Sequence, residues 1–321
     1  MLRATLCLPD GSVESEISHE RMRQALAIPD VLLWVDIESP EDDEIEILLE
    51  VFELHPLTVE DCIMPNVRPK LETFEKYIFV ILHGMAREEK GKLRPVELDM
   101  CMGANFLITV RTERMRCIDG DWGRVTKRSP ICRRGADFLF YAITDSLLDS
   151  YFPFLDEVEA RVDALERKLL SDSVKETIKE LFDVYDELVV LRRALAPHRE
   201  ILGRINRRDD LPLIKQSNAA YFRDIYDHLL RMSDLVDACR ETTTMLLEAH
   251  GTIVSNRLNE IMKTMTALAT LSIPIVIITG IYGMNFGEHP WIPIWIFHGM
   301  SAGLLLAVPV MFVYFRKFKW L

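Results

Sequence analysis

Gly280-Ile281-Tyr282-Gly283-Met284-Asn285-Phe286 decides how this chain is read. The stretch lies between two uncharged runs. One extends from Thr264 to Gly287, between Lys263 and Glu288; the other extends from His289 to Phe315 and ends at Arg316. Each is long enough to cross a hydrocarbon layer about 30 Å thick. Helices and closed barrels alone satisfy their backbone polar groups within lipid. Two membrane helices are therefore expected, over 264–286 and 292–315, joined by an external loop at 287–291. At the end of the first, Asn285 places one amide among apolar and aromatic neighbours, a position that takes a neutral oxygen and not a charge.

Upstream, from about Ser217 to Ile281, only Gly251 weakens a helix before Pro274. That is about 65 residues, or about 97 Å at 1.5 Å per residue, too long for one compact domain. Phe222, Ile225, Leu229, Met232, Val236, Cys239, Thr243, Leu246, His250 and Ile253 alternate at three and four, a seam that packs on copies of itself or on its neighbours. The reading is a stalk over 217–263, continuous with the first span. Carrying the same spacing onward puts Asn259, Met262, Thr266, Ala269, Ile273, Val276 and Gly280 on one stripe free of charge. Periodicity alone leaves this stripe as a helix contact face or as the wall of a shared pore. A second stripe, Asp224, Asp227, Asp234, Asp237, Glu241 and Glu248, is acidic; in its plainest form it is a solvated face paired with Arg223, Arg231 and Arg240.

The remainder is of mixed character. Apolar runs at Leu2–Leu8, Val31–Ile37, Tyr77–Leu82, Leu98–Met102 and Phe106–Val110 predict strands. Ser39-Pro40-Glu41-Asp42-Asp43 predicts a helix capped by Ser39 and running to about Glu53. A short helix follows from Pro56 through Asp61, and Arg87 to Arg94, with Gly91, predicts a hairpin turn. From Asp137 the spacing becomes helical: Tyr141, Leu147, Leu148, Leu155, Val158, Val162 and Leu165 form one stretch, and Ser173 to about Arg204 a second that contains Pro197. The fold class is α+β: a mixed α/β domain at 1–135, helices at 136–216, the stalk, the two spans, and a basic tail at 316–321.

The chain has 38 Lys and Arg against 50 Asp and Glu, a formal charge of −12. Past Asn256 the sign reverses, because Arg257, Lys263, Arg316, Lys317 and Lys319 outnumber Glu260 and Glu288. An acidic soluble part is not a nucleic-acid binder; it concentrates cations around itself. The basic residues flank the two spans on the side opposite the loop, so both termini are expected in the cytoplasm of a cell (inner) membrane protein. The tail is expected to anchor among lipid headgroups. Six scattered cysteines, with no Cys-x-x-Cys, fit thiols in a reducing cytosol.

The Tyr282-Gly-Met-Asn-Phe286 string closely resembles the signature of the CorA family of divalent-cation channels. His55-Pro-Leu-Thr-Val-Glu-Asp61, the Arg68-Pro-Lys stretch with Glu72, Phe74 and Tyr77, and Tyr221-Phe-Arg-Asp-Ile-Tyr-Asp-His228 resemble that family's soluble domain and stalk. The resemblance implies a funnel-shaped homopentamer, with Gly283, Met284 and Asn285 as selectivity filter and the uncharged stripe as pore lining. Ile273 stands where relatives often have Met, and Val276 where some have Thr, so the middle of this pore would be drier. No carboxylate lies on the stripe, which suits Mg²⁺, an ion that sheds its waters reluctantly. The resemblance further implies a regulatory Mg²⁺ between subunits, held by Asp224 from the stalk and, nearest the family position, Glu88.

The expected function is Mg²⁺ uptake, with Co²⁺ or Ni²⁺ as further cargo, passive and driven by membrane potential, since no Walker A string couples ATP. A Zn²⁺ transporter of similar architecture, proton-coupled, is the alternative; His289 in the loop is its one hint. A membrane-anchored coiled-coil scaffold is the alternative of another class. No His-Glu-x-x-His, Gly-x-Ser-x-Gly or clustered His/Asp set is evident in the linear sequence, so an enzyme is not expected.

Overall fold

A computed structural model describes residues 1–15, 17–64, 68–89, 91–127, 130–170, 174–207, 211–283, 294–318 and 320. The chain divides into two units, Met1–Met245 and Leu246–Leu321.

The first unit is built on seven strands: β1 (Leu2–Cys7), β2 (Val13–Ser15), β3 (Leu32–Glu38), β4 (Lys70–Thr73), β5 (Tyr77–Arg87), β6 (Leu93–Gly103) and β7 (Phe106–Arg111). They lie in the order β2-β1-β3-β7-β6-β5-β4. Only β3 and β7 pair in parallel; every other neighbour is antiparallel. The five apolar runs are all strands. β5 and β6 extend well past their apolar cores to meet at a turn where Gly91 takes φ 83°. The two short edge strands, β2 and β4, lack an apolar run and were not legible.

Three helices, α1 (His19–Leu26), α2 (Asp42–Glu50) and α3 (Pro56–Ile63), bury Met22, Ile47, Leu48, Val59 and Cys62 against Leu33, Val35, Phe79 and Ile108. Ser39 is not the cap of α2. It takes φ 49° and its hydroxyl donates to the Thr112 carbonyl at 2.7 Å, while Glu41 caps the helix in a reciprocal box with Glu44. Pro40 stands between them, so the helix starts two residues later than expected and ends at Glu50. On the other side of the sheet lie α4 (Arg116–Thr126) and α5 (Ala136–Asp149). Trp34 on β3 packs at 4.8 Å from Trp122 on α4.

A buried charge network ties these layers together. Arg111 holds Asp36 at 3.0 Å, Arg3 bridges Asp36 and Asp119, and Thr109 donates to Asp36 at 2.6 Å while accepting from the Trp34 indole. Removing one member of such a buried pair costs about 3–5 kcal/mol, because the partner charge is left without compensation.

The helical stretch after Asp137 is two helices, α5 and α6 (Phe152–Leu170), broken at Ser150 and Tyr151. Pro153, lacking a backbone N–H, sits in the first turn of α6, where that donor is not needed. α7 (Val174–Arg207) contains Pro197 and packs on α6, β6 and β4. β4 pairs with β5 only as far as Ile81, so the His83 N–H lies beyond the edge strand; it donates to His198 Nε2 on α7 at 2.9 Å. Tyr151 donates to the His83 carbonyl at 2.6 Å. Burial, then the neighbouring His83, lowers the pKa of His198 to about 3 and keeps the ring a neutral acceptor.

α8 runs from Ala219 to Tyr282 without interruption, with Pro274 inside it. The seam from Phe222 to Thr243 is buried within the protomer, with Phe222 5.9 Å from Phe140 on α5. Its partners are therefore neighbouring helices of the same chain. Asp237 of the acidic stripe pairs at 3.0 Å with Arg192 on α7, not with an arginine of its own helix. Of the cysteines, Cys62, Cys101, Cys117 and Cys239 are free thiols, whereas Cys7 is disulfide-bonded, contrary to the all-thiol expectation. Cysteine spacing alone carries no pairing information when the closing residues are far apart in sequence.

Candidate cation sites

The second unit holds the C-terminal part of α8 and α9 (Ile294–Lys317). Among the described residues, two helices are long and apolar enough to cross a membrane, Gln216–Gly280 and His298–Lys317. Within this unit Ala267, Pro274 and Ser301 are buried, with Thr270, Leu271 and Ile278 partly covered. At about 100° per residue, the covered α8 positions fall on one face. Met262, Thr266, Ala269, Ile273, Val276 and Gly280 fall on the opposite half and Asn259 at its border, and all seven are exposed. Met262 and Val276 retain 65 % and 64 % of their surface. A row of apolar and small uncharged side chains left bare in this way is a surface for lipid or for further copies of the chain.

Gly283 closes α8: its N–H donates to the Thr279 carbonyl at 2.9 Å. A Cβ built there would lie 3.2 Å from that same carbonyl, so glycine gives the chain a tight exit. Met284, Asn285, Glu288 and His289 lie outside the described residues.

The first unit contains a second arrangement. Asp137 accepts from the Asn218 side chain at 2.7 Å and from the Lys215 N–H at 3.0 Å, fixing the approach to α8 against α5. Arg134 then stacks on Phe138 at 3.6 Å and on Tyr221 at 4.5 Å while donating to the Tyr221 hydroxyl. With Tyr141 5.0 Å from Tyr221, the next turns of the two helices bring acids and imidazole together. Asp145, Asp149 and His228 each offer a ligand atom, all within 4.8 Å of one another. Asp224 joins from the preceding turn, 3.8 Å from His228 Nε2. Burial raises the pKa of Asp145, and the Asp149 charge adds to this while His228 opposes it. Burial, with the charges of Asp145 and Asp224, raises the pKa of Tyr141 to about 12.

Two oxygens and one imidazole nitrogen form a donor set that fits a divalent ion of the first transition row and, through retained waters, Mg²⁺. Asp145 and Asp149 were not singled out from the sequence, although their spacing, like that of Asp224 and His228, puts each pair on one helical face. Glu88 is placed elsewhere, in the β5–β6 turn, where its N–H donates to the Lys92 carbonyl. Within one protomer no contact among the described residues joins it to Asp224.

The first unit is thus α+β, and the second holds two helices long and apolar enough to cross a membrane, one with a bare uncharged stripe and a glycine-closed end. Residues 29–317 match the model of the CorA-like Mg²⁺ transporter protein family, and the chain belongs to that family. It is 33 % identical to the cobalt/magnesium transport protein CorA of Thermotoga maritima, over 90 % of this chain and 83 % of that protein. It is 25 % identical to the cobalt/magnesium transport protein CorA of Methanocaldococcus jannaschii over the full length of both. The complete structure of the CorA magnesium transporter from Methanocaldococcus jannaschii superposes with a TM-score of 0.81 at 24 % identity, covering 100 % of this chain and 99 % of that one. The family consists of transport proteins and not of enzymes.

Proposed function

We propose that this chain assembles as a homopentameric channel that admits Mg²⁺, with Co²⁺ and Ni²⁺ as further cargo, down the membrane potential. The observation that carries the reading is the uncharged stripe from Asn259 to Gly280, exposed on the half of α8 that the protomer itself leaves uncovered. Five such stripes around an axis line a passage without a carboxylate. A hydrated Mg²⁺ crosses such a passage without being trapped, because nothing there competes strongly for its waters. Asn285, at the outer end, presents an amide oxygen that accepts hydrogen bonds from those waters. Gly283 and Met284 complete the filter, and the ring of Ile273 forms a dry constriction. Both termini lie in the cytoplasm.

Regulation rests on Asp224 and the neighbouring Asp145, Asp149 and His228. The three carboxylates repel one another when no ion is bound, and a divalent ion converts the repulsion into a clamp across α5 and α8. Cytosolic Mg²⁺ thereby favours the arrangement with the higher affinity, the closed one. Glu88 contributes across the joint with a neighbouring subunit. The test is ion uptake by the full chain in liposomes, with Mg²⁺, Co²⁺, Ni²⁺ and Zn²⁺ in competition. Preferential Mg²⁺ entry at equal pH on both sides supports the reading. Zn²⁺ entry that requires a proton gradient replaces it with the zinc-transporter alternative, and no entry of any ion leaves the scaffold.

A further inference from the structure

Within the second unit α9 runs back along α8. Trp320, just past the end of α9, lines one groove with Asn259 and Met262, near the start of the apolar part of α8. Counted from the opposite ends of the two helices, Ser301 lies seven residues into α9 and Pro274 eight residues before Tyr282, about 10 Å and about 12 Å along their axes. The covered residues of α9 are Ser301, Leu304, Val308, Met311 and Phe315, spaced by three and four, so one face of α9 turns toward α8. Ser301 keeps only 6 % of its surface, and its Oγ has no hydrogen-bond partner among the described residues. Other hydroxyls of this unit are satisfied within their own helix: Thr264, Thr270, Ser272 and Thr279 donate to carbonyls three or four residues earlier on α8. Ser301 is a buried donor without such an acceptor.

The facing helix carries an acceptor without a donor. Pro274 has no N–H, so the Thr270 carbonyl, four residues earlier, loses its bond within α8. Thr270 and Pro274 both lie on the covered face of α8. Pro309 frees a carbonyl on α9 as well, that of Leu305, but on the bare side of the helix. An orphan donor and an orphan acceptor at one depth, away from water, are each costly until they pair. We infer that Ser301 is a positioning residue for the pore: its hydroxyl donates to the Thr270 carbonyl that Pro274 leaves free, and the bond holds the Ile273 ring narrow. The inference rests on the channel reading above. A proline bends its helix away from the face that carries it. A stronger bend at Pro274 therefore carries the end of α8 toward the half with Ile273 and Gly280, into the passage. The same bend opens α8 on the side of α9, where the Ser301 hydroxyl reaches the Thr270 carbonyl. The pairing belongs to that narrower arrangement and is unmade in this structure.

The experiment is Mg²⁺ uptake by the full chain in liposomes, with high Mg²⁺ on the cytoplasmic side to close the channel. One hydrogen bond between membrane helices changes such a balance about three-fold per subunit, so residual flux in Ser301→Ala should rise at least about three-fold. Ser301→Thr keeps the hydroxyl and should leave the flux as in the parent. In Pro274→Ala the restored N–H takes the Thr270 carbonyl, so adding Ser301→Ala to that variant should change nothing further. A role in packing alone would give the same increment with or without the proline, which is what the double-variant comparison separates. Oligomer size, measured on the same samples, distinguishes a changed gate from lost assembly. Parent-like flux in Ser301→Ala, an equal rise in the parent and Pro274→Ala backgrounds, or Ser301→Thr leaking as Ser301→Ala does overturns the inference. No uptake by the parent defeats the channel reading and the inference with it, whereas normal uptake by the parent with no effect of Ser301→Ala defeats the inference alone.

Discussion

Replacing Asp145 with Asn removes one charge from the α5–α8 cluster and leaves its shape unchanged. The three ligand atoms offered by Asp145, Asp149 and His228 lie within 4.8 Å of one another. A Mg²⁺ that keeps its waters sits about 4 Å from each carboxylate oxygen, and at that distance the attraction between a double and a single charge is about 2 kcal/mol in water. Physiological salt screens part of it. The concentration of cytosolic Mg²⁺ that half-closes the channel should therefore rise between about five- and thirty-fold. Because the pKa of Asp145 is raised by burial and by Asp149, protons compete with the ion. Lowering the pH strengthens that competition at the carboxyl, so the parent's curve should shift toward higher Mg²⁺, and the Asn variant's should shift less. The assay is current or uptake against internal Mg²⁺, with Asp227→Asn, on the exposed side of α8, as control. Ion selectivity should not change. An unshifted curve for Asp145→Asn, or an equal shift for Asp227→Asn, would refute the clamp and return the cluster to a solvated surface.

Asp224→Ala should shift the same curve in the same direction without altering selectivity; coincident curves would remove Asp224 from regulation. Asn285→Ala should abolish or scramble cation selection with the oligomer intact, measured as Mg²⁺ uptake against competing ions; parent-like selective uptake excludes a filter role. Ile273→Ser should raise flux in high internal Mg²⁺, because a polar ring wets the constriction; no rise would mean the stripe faces a packing surface. His198, held neutral with its pKa near 3, makes the soluble unit less stable as pH falls. The unfolded ring takes a proton below about 6.5 and the folded ring does not until about 3, so stability drops by about 1.4 kcal/mol per pH unit across that window. His198→Gln keeps an acceptor for the His83 N–H and should flatten the slope of urea midpoints between pH 6 and 4; an undiminished slope would place the titration elsewhere.

Much of this architecture was legible because it is periodic. Strands with uninterrupted apolar runs, such as Phe106–Arg111, announce themselves, and so does a helix with no stop signal from Ala219 to Tyr282. The edge strands did not, since Lys70–Thr73 gains its conformation from pairing with β5 and not from its own composition. Ser39 misled for a similar reason. Its capping chemistry is genuine, but the Thr112 carbonyl on the neighbouring strand end claims the hydroxyl, and tertiary context overrode the local signal. The stripe from Asn259 to Gly280 could be drawn from spacing, whereas which half of α8 stays bare required the structure. The cluster of acids and imidazole was half visible: Asp224 stood out on the stalk, but nothing in the sequence joined Asp145 and Asp149 to it until Asp137 and Arg134 set α5 beside α8.

The central claim, a passive channel for Mg²⁺, is tested most directly by Mg²⁺ entry into sealed liposomes carrying the full chain. Both faces are held at one pH, and a potassium gradient with valinomycin sets an inside-negative potential. The account predicts entry that rises with the size of the potential, needs no proton gradient, and is lost when Asn285 is replaced by Ala. Entry that ignores the potential and appears only when a proton gradient is imposed would contradict it.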